Sequence, residues 1–118
     1  MMTKCFPKSR MKKVRKRSDL TGLIEIHHVI PRQFSNHAVI KKYKYDTKES
    51  YNFVFCPSKK GIEMMNLRET RPIHSGGHMK YNMFVSRQLE NCDSVTCLYI
   101  LWLFLHMGCR GLVKIPWK

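Results

Sequence analysis

The sequence predicts a single small α+β domain, and three features support that prediction. Two short runs rich in β-branched and aromatic residues, 23–30 and 52–56, each end at a proline, as strands often do. Apolar residues recur at helical spacing after residue 78, and the stretch 95–107 is almost wholly apolar. A chain of 118 residues suffices for one domain with a modest core, which a bound metal or a partner subunit would help to stabilise.

The chain is strongly basic. It carries 22 Lys and Arg residues against 8 Asp and Glu, a formal net charge of +14. Residues 1–20 begin with a run so rich in Lys and Arg that we expect a flexible arm. The charge favours a nucleic-acid partner, although an anionic membrane surface or an acidic protein would satisfy the charge alone.

The cysteines indicate a reducing compartment. There are five of them, an odd number, and no CxxC pair occurs. The N-terminus carries charge where a secretory signal needs an apolar segment. We therefore expect an intracellular protein, in the nucleus if the run Lys12 to Arg17 acts as an import signal and otherwise in the cytoplasm.

The first predicted strand, residues 23–30, ends at Pro31. Neighbouring side chains on a strand face opposite ways, so His27 and His28 are expected to diverge unless the strand twists or ends there. Divergence suits two different roles better than joint binding of one ion.

The middle of the chain is predicted as shorter pieces. In chain order these are a helix near residues 36–43 with Asn36 as its cap, a strand from Asn52 to Cys56, a loop from Lys59 to Gly61 and a short helix within 62–73. Pro57 closes the strand and Pro72 stops the helix.

Two helices are predicted in the last third. The first begins near Gly77 or His78 and carries its apolar face on Tyr81, Phe84, Val85 and Leu89. The second begins after the capping residue Ser94, runs from Val95 to Met107 and stops at Gly108.

The apolar last helix is too short for an integral membrane span. Thirteen residues at about 1.5 Å each reach roughly 20 Å, against a hydrocarbon core of about 30 Å. A helix that is apolar all round must be buried on several sides. We expect residues 93–118 to pack on the domain or to form a homodimer interface, and we favour the interface.

Four of the six histidines fall in two clusters. His27 and His28 end the first strand, and His74 and His78 lie four residues apart before a helix. Metal binding needs neutral imidazoles that converge from rigid elements. His27, His74 and His78 fit that need, which leaves His28 to accept a proton, since histidine titrates near neutral pH.

These clusters and the strand between them resemble the HNH or His-Me finger (ββα-metal) endonucleases, and the AHH-type branch is the most similar. The motifs are His27-His28-Val29-Ile30-Pro31, Asn52-Phe53-Val54-Phe55-Cys56-Pro57 and the run from His74 to Asn82. The resemblance covers about residues 22–92 and implies a ββα-metal nuclease domain over 21–92. Ile26 replaces the alanine that names the branch, and Cys56 replaces the usual leucine; both changes keep the position apolar.

The resemblance also implies roles for individual residues. His28 matches the general base, and His27, His74 and His78 match the ligands of one divalent metal ion. Asn52 matches the middle letter of HNH, a residue that braces the loop between the strands and helps to orient the base. An all-histidine set suits Zn²⁺, Ni²⁺ or Mn²⁺ better than Mg²⁺.

Three further residues are candidates for holding the phosphate, because they flank the histidine clusters: Arg32, Arg71 and Lys80. The function implied is hydrolysis of phosphodiester bonds in DNA, with RNA as a further candidate substrate. The alternatives are a non-catalytic nucleic-acid-binding protein that uses the fold as a scaffold, and an interaction or membrane-peripheral module. Neither of them needs a histidine at position 28.

Overall fold

The computed structural model describes residues 23–65 and 78–118. Within these ranges the fold is α+β, as predicted, with one two-stranded antiparallel sheet and four α-helices. In chain order the elements are β1 (Ile24–His28), α1 (Ala38–Lys42), β2 (Phe53–Pro57), α2 (Lys59–Met65), α3 (Met79–Glu90) and α4 (Val95–Cys109). The sheet and α3 together form a ββα-like core.

Strand β1 ends at His28, two residues earlier than predicted. The backbone N–H of Val29 donates to the carbonyl of Asn52 (2.7 Å), and that of Ile30 donates to the Asn52 side-chain Oδ1 (2.7 Å). The last pair of the ladder between β1 and β2 is His28 with Phe53. Beyond that pair the chain bends around Asn52 and does not continue the ladder.

Helix α1 is capped by His37, so the prediction of Asn36 as its cap was wrong. The Nδ1 atom of His37 accepts a hydrogen bond from the backbone N–H of Val39 (3.1 Å). The other ring nitrogen of His37 lies 3.2 Å from Glu90 at the end of α3. A histidine fills this position because its ring reaches both partners.

The predicted loop from Lys59 to Gly61 is in fact the start of α2. Ser58 provides the signal that sequence reasoning missed, because its Oγ accepts from the backbone N–H of Gly61 (3.0 Å), as an N-cap does. The rest of the predicted 62–73 helix, with Pro72, lies outside the described residues beyond Met65.

The predictions for α3 and for the start of α4 are confirmed. Helix α3 follows His78 and buries Tyr81, Val85 and Leu89. The Oγ of Ser94 caps α4 by accepting from the backbone N–H of Cys97 (3.0 Å).

Helix α4 continues past Gly108, so the predicted stop there was wrong. Gly111 ends the helix instead, with a φ of 78° that favours glycine, and the N–H of Leu112 donates to the carbonyl of Met107 (2.9 Å). Gly108 has a packing role, because a Cβ on it would overlap the side chain of Ile115. A glycine inside a helix therefore marks a close contact here.

One face of α4 is buried and the other is exposed. The buried face contributes Leu98, Leu101 and Leu105 to the core, which also contains residues of β2 and α3. On the other face Ile100 is 60% exposed, and Tyr99 and Leu103 are exposed as well. The helix thus packs on the domain, and the homodimer interface stays a prediction for the face left open.

Helix α4 also bears on the question of the membrane. In the part of the chain that the structure describes, no helix combines the length and the apolar content that crossing a bilayer requires.

Candidate active site

Strand β1 delivers two histidines at its end. His27 shares a strand face with its partner Val54 and is only 2% exposed. His28 lies on the opposite face, and its half-buried ring packs edge-on against Phe53 with the ring centroids 4.8 Å apart. The two neighbours diverge, as the strand predicts, and the end of the strand gives each a different set of contacts.

His78 enters the same region from the start of α3, where it is the N-cap residue. Its ring is nearly perpendicular to that of His27, with centroids 5.1 Å apart. Its Nδ1 lies 3.1 Å from Oδ1 of Asn82, one helical turn along. In the tautomer that donates from Nδ1 to this amide oxygen, Nε2 has the lone pair that a metal ligand requires.

The three histidines meet at one open cleft of about 130 Å³. We call it the histidine cleft, and its lining residues are Ile26, His27, His28, Pro31, Arg32 and His78. Both histidines of β1 reach it because the strand ends beside it and the chain turns at Pro31. Arg32 is exposed at this cleft and adds a positive charge.

The separation of the His27 and His78 rings can be compared with that of two ligands of one divalent ion. Two imidazoles whose nitrogens lie about 2.0–2.1 Å from one tetrahedral ion have ring centroids roughly 5 Å apart, which is close to the observed separation. Two ligands do not complete a site, and residues 23–65 and 78–118 hold no group of three or more His, Cys, Asp or Glu side chains suited to an ion. The third predicted ligand, His74, lies outside the described residues.

Asn52 is fully buried, and both polar atoms of its side chain are hydrogen-bonded, mostly to backbone groups. Oδ1 accepts from the N–H of Ile30 (2.7 Å) and from the hydroxyl of Tyr45. Nδ2 donates to the carbonyls of Ile30 (2.9 Å) and Thr47 (2.8 Å). This amide is buried and holds the turn that follows His28, and its predicted part in orienting the base stays a prediction.

Two buried tyrosines support the same turn. Burial raises the pKa of Tyr45 and of Tyr81 well above the usual value, so both hydroxyls remain protonated and act as donors. Tyr45 donates to Asn52, and Tyr81 donates to the carbonyl of Val29. Hydrogen bonds from neutral hydroxyls therefore hold both Val29, in the turn, and Asn52, which braces the turn.

The structure does not place the remaining predicted site residues at the histidine cleft. Lys80 is exposed in the first turn of α3 and is not part of the cleft lining. Arg71 lies outside the described residues, as does His74, so their predicted roles stay predictions.

Sequence reasoning missed one neighbour of the histidines. The ring of Trp117, eight residues beyond the end of α4, lies 5.0 Å from that of His27 and 5.1 Å from that of His78, centroid to centroid. No spacing rule connects position 117 with positions 27 and 78, since only the path of the folded chain brings them together. A tryptophan near the end of a basic segment was the only signal in the sequence.

A two-stranded sheet, a following helix and histidines at the end of the first strand and at the start of that helix define a ββα-type domain of the kind that nucleases use. A family model supports this class directly. The AHH model, described as a nuclease family of the HNH/ENDO VII superfamily with conserved AHH, matches residues 10–97. The chain therefore belongs to the AHH family.

Membership implies a nucleic-acid substrate, and nucleases of this superfamily are generally metal-dependent. Neither the comparison with curated proteins nor the comparison with solved structures found a match.

Proposed function

We propose that this protein is a metal-dependent endonuclease that hydrolyses phosphodiester bonds in DNA. The observation that carries the proposal is the convergence of His27, His28 and His78, with Arg32, on one open cleft. A cleft of about 130 Å³ is smaller than the pockets of roughly 300–1,000 Å³ that enclose small-molecule ligands. Its size suits an ion and one phosphate group of a polymer that extends beyond it.

His27 and His78, together with His74, are the residues that would hold the ion. The near-perpendicular rings of the first two and the Asn82 contact of His78 favour this assignment. When bound, a divalent ion supplies Lewis-acid stabilisation of the negative charge that develops on the scissile phosphate. Zn²⁺, Ni²⁺ and Mn²⁺ suit imidazole ligands, and Mg²⁺ suits them less well.

His28 is the proposed general base. Its ring is steadied by Phe53 and also borders the cleft. His28 takes a proton from a water molecule as the water oxygen attacks phosphorus. The bond from phosphorus to the 3′ oxygen then breaks, and that oxygen takes up a proton from solvent, which leaves a 5′-phosphate and a 3′-hydroxyl.

Substrate binding is expected to rest on phosphate contacts. Arg32 lies at the cleft, and every Lys and Arg within residues 23–65 and 78–118 is exposed. Such contacts hold the backbone without reading the bases, so binding should weaken steeply as salt rises.

A plasmid-nicking assay with added Mn²⁺, Ni²⁺, Zn²⁺ or Mg²⁺ tests the proposal, and a labelled RNA in parallel tests the substrate class. We expect nicking by the parent protein and a loss of about 10²- to 10⁴-fold in His28→Ala, because a general base contributes that much. Metal content and DNA binding should be unchanged in that variant. His37→Ala is the matched control, because His37 caps α1 outside the cleft, and it should nick like the parent.

The outcomes separate the alternatives. If His28→Ala cuts as fast as the parent, His28 is not the base. If the parent binds DNA but cuts nothing with any of these ions, the non-catalytic scaffold is the better account. His78→Ala should lose bound metal, stability and activity together, and unchanged metal content would remove His78 from the site.

A further inference from the structure

The segment after α4 returns to the histidine cleft. Residues 112–118, which we call the C-terminal strap, lead from the Gly111 turn to Trp117, whose indole contacts the rings of His27, His78 and Tyr81. The indole does not line the cleft itself. It therefore contacts the two imidazoles without forming part of the cleft wall.

The strap is held by specific contacts along its length. Gly111 turns the chain back, and Ile115 packs so closely on Gly108 that an added Cβ would force the Ile115 side chain to shift. The carbonyl of Trp117 accepts a hydrogen bond from the backbone N–H of Tyr81 (3.2 Å). That N–H lies in the first turn of α3, where backbone donors have no partner within the helix, and the N-cap residue His78 makes no side-chain capping bond. The strap therefore provides the acceptor for this N–H.

Each of the two imidazoles touches the same two aromatic rings. His27 lies 5.2 Å from Tyr81 and 5.0 Å from Trp117, and His78 lies 5.6 Å and 5.1 Å from them, centroid to centroid. An imidazole turns about two side-chain bonds, and such contacts restrict both. Rings held in one orientation bind an ion with less loss of entropy than rings that must first be ordered.

We propose that Trp117 is a positioning residue of the metal site, which orients the His27 and His78 rings so that they meet one divalent ion. This inference rests on the proposed function, because it takes those two histidines as ligands. Groups that orient ligands from outside the metal shell typically change metal affinity by about 10- to 100-fold. Trp117 should act at this level without touching the substrate.

The first test uses the tryptophan as its own reporter. In Trp102→Phe, Trp117 is the one tryptophan left in the chain. We expect Co²⁺ or Ni²⁺ to quench its fluorescence on binding, since both ions quench a nearby indole, and His78→Ala should abolish the quenching. In the reciprocal variant Trp117→Phe, the emission of Trp102, which packs against His106 within α4 and does not line the cleft, should change little.

The second test measures the positioning effect. Isothermal titration with Co²⁺ and Ni²⁺ should show an affinity about 10- to 100-fold lower in Trp117→Leu, and the visible absorption bands of bound Co²⁺ should change shape. Trp117→Phe should restore most of the affinity because it keeps an aromatic ring. Leu112→Ala is the control within the strap, where Leu112 is 70% exposed, and it should match the parent.

The outcomes distinguish this inference from the proposed function. If metal binds to Trp117→Leu with the parent's affinity and Co²⁺ spectrum, the inference is overturned and the nuclease proposal stands. If the parent binds none of these ions, both fail. If metal binds to Trp102→Phe without any change in Trp117 emission, the ion does not lie at His27 and His78, and both the inference and that ligand assignment are overturned. Should Trp117→Leu not fold, Trp117→Phe takes its place: a small loss of affinity with altered Co²⁺ absorption bands supports the inference, and a Co²⁺ spectrum and affinity identical to the parent's overturn it.

Discussion

The two sides of the histidine cleft are held by different forces. On the β1 side, the turn after His28 is braced by buried hydrogen bonds centred on Asn52. On the other side of the cleft, His78 lies against the rings of Tyr81 and Trp117, which also contact His27, and its Nδ1 lies 3.1 Å from Asn82. One side fixes the direction of the backbone, and the other fixes the orientation of rings.

This difference has an energetic consequence. A buried hydrogen bond that loses one partner leaves the other unsatisfied, which costs about 1–3 kcal/mol each. An aromatic contact that is lost costs about 0.5–1.5 kcal/mol beyond its buried area. Damage to the hydrogen-bonded side should therefore lower stability first, and damage to the aromatic side should lower metal affinity first.

The largest effect is expected for Asn52→Ala. This variant leaves the N–H and carbonyl of Ile30 and the carbonyl of Thr47 without their side-chain partner, all of them around a fully buried position. We expect a loss on the order of 4 kcal/mol in the free energy of unfolding, measured by urea denaturation. Asn91→Ala is the control, because Asn91 bonds to Arg87 at an exposed position.

If Asn52→Ala changed the free energy of unfolding only slightly, the turn would not depend on this amide. The contrast between a hydrogen-bonded side and an aromatic side of the cleft would then be wrong. If the variant is too unstable to study, Tyr45→Phe removes a single hydrogen bond to Asn52 Oδ1. It should cost about 1–2 kcal/mol.

An intermediate effect is expected for Tyr81→Phe, which separates the two sides within one residue. The hydroxyl of Tyr81 donates to Val29 on the hydrogen-bonded side, while its ring belongs to the aromatic side. We expect a loss of about 1–2 kcal/mol in stability with metal affinity unchanged. Tyr99→Phe, at an exposed position of α4, should alter neither.

If Tyr81→Phe weakens metal binding as strongly as Trp117→Leu does, the ring and the hydroxyl act as one unit. The division between the two sides would then be wrong.

The smallest effect concerns pH. His106 of α4 lies 3.3 Å from the carbonyl of Tyr51, next to Asn52, and burial together with Arg110 lowers the pKa of His106. A lowered pKa means that folding favours the neutral ring. Stability should therefore be full above about pH 6.5, the unfolded value, and should fall as pH drops through the folded pKa.

His106→Gln removes this titration, so its stability should depend less on pH than the parent's between about pH 7 and pH 5. Thermal unfolding at several pH values measures the difference. Parallel curves for the two proteins would show that His106 does not contribute.

Much of the fold could be predicted because its signals are local. Pro57 closes β2, His78 precedes an apolar stripe at helical spacing, and Ser94 is followed by a helix. His27 and His78, which the motif predicts as joint metal ligands, line the same cleft, and their role as ligands stays a prediction. Local signals failed where a residue acts on a distant one, as Gly108 does for Ile115.

The sequence by itself determined the class of domain and the set of histidines, because both are written in residues that lie next to each other or one helical turn apart. Only the tertiary structure decided what holds those histidines in place. Asn52 and Tyr81 could be read as a family motif and a core residue, but their hydrogen bonds to the turn depend on how the elements pack. Trp117 lies 39 residues from His78 in the sequence, and contacts over such separations follow from chain reversal and packing, which no local pattern encodes.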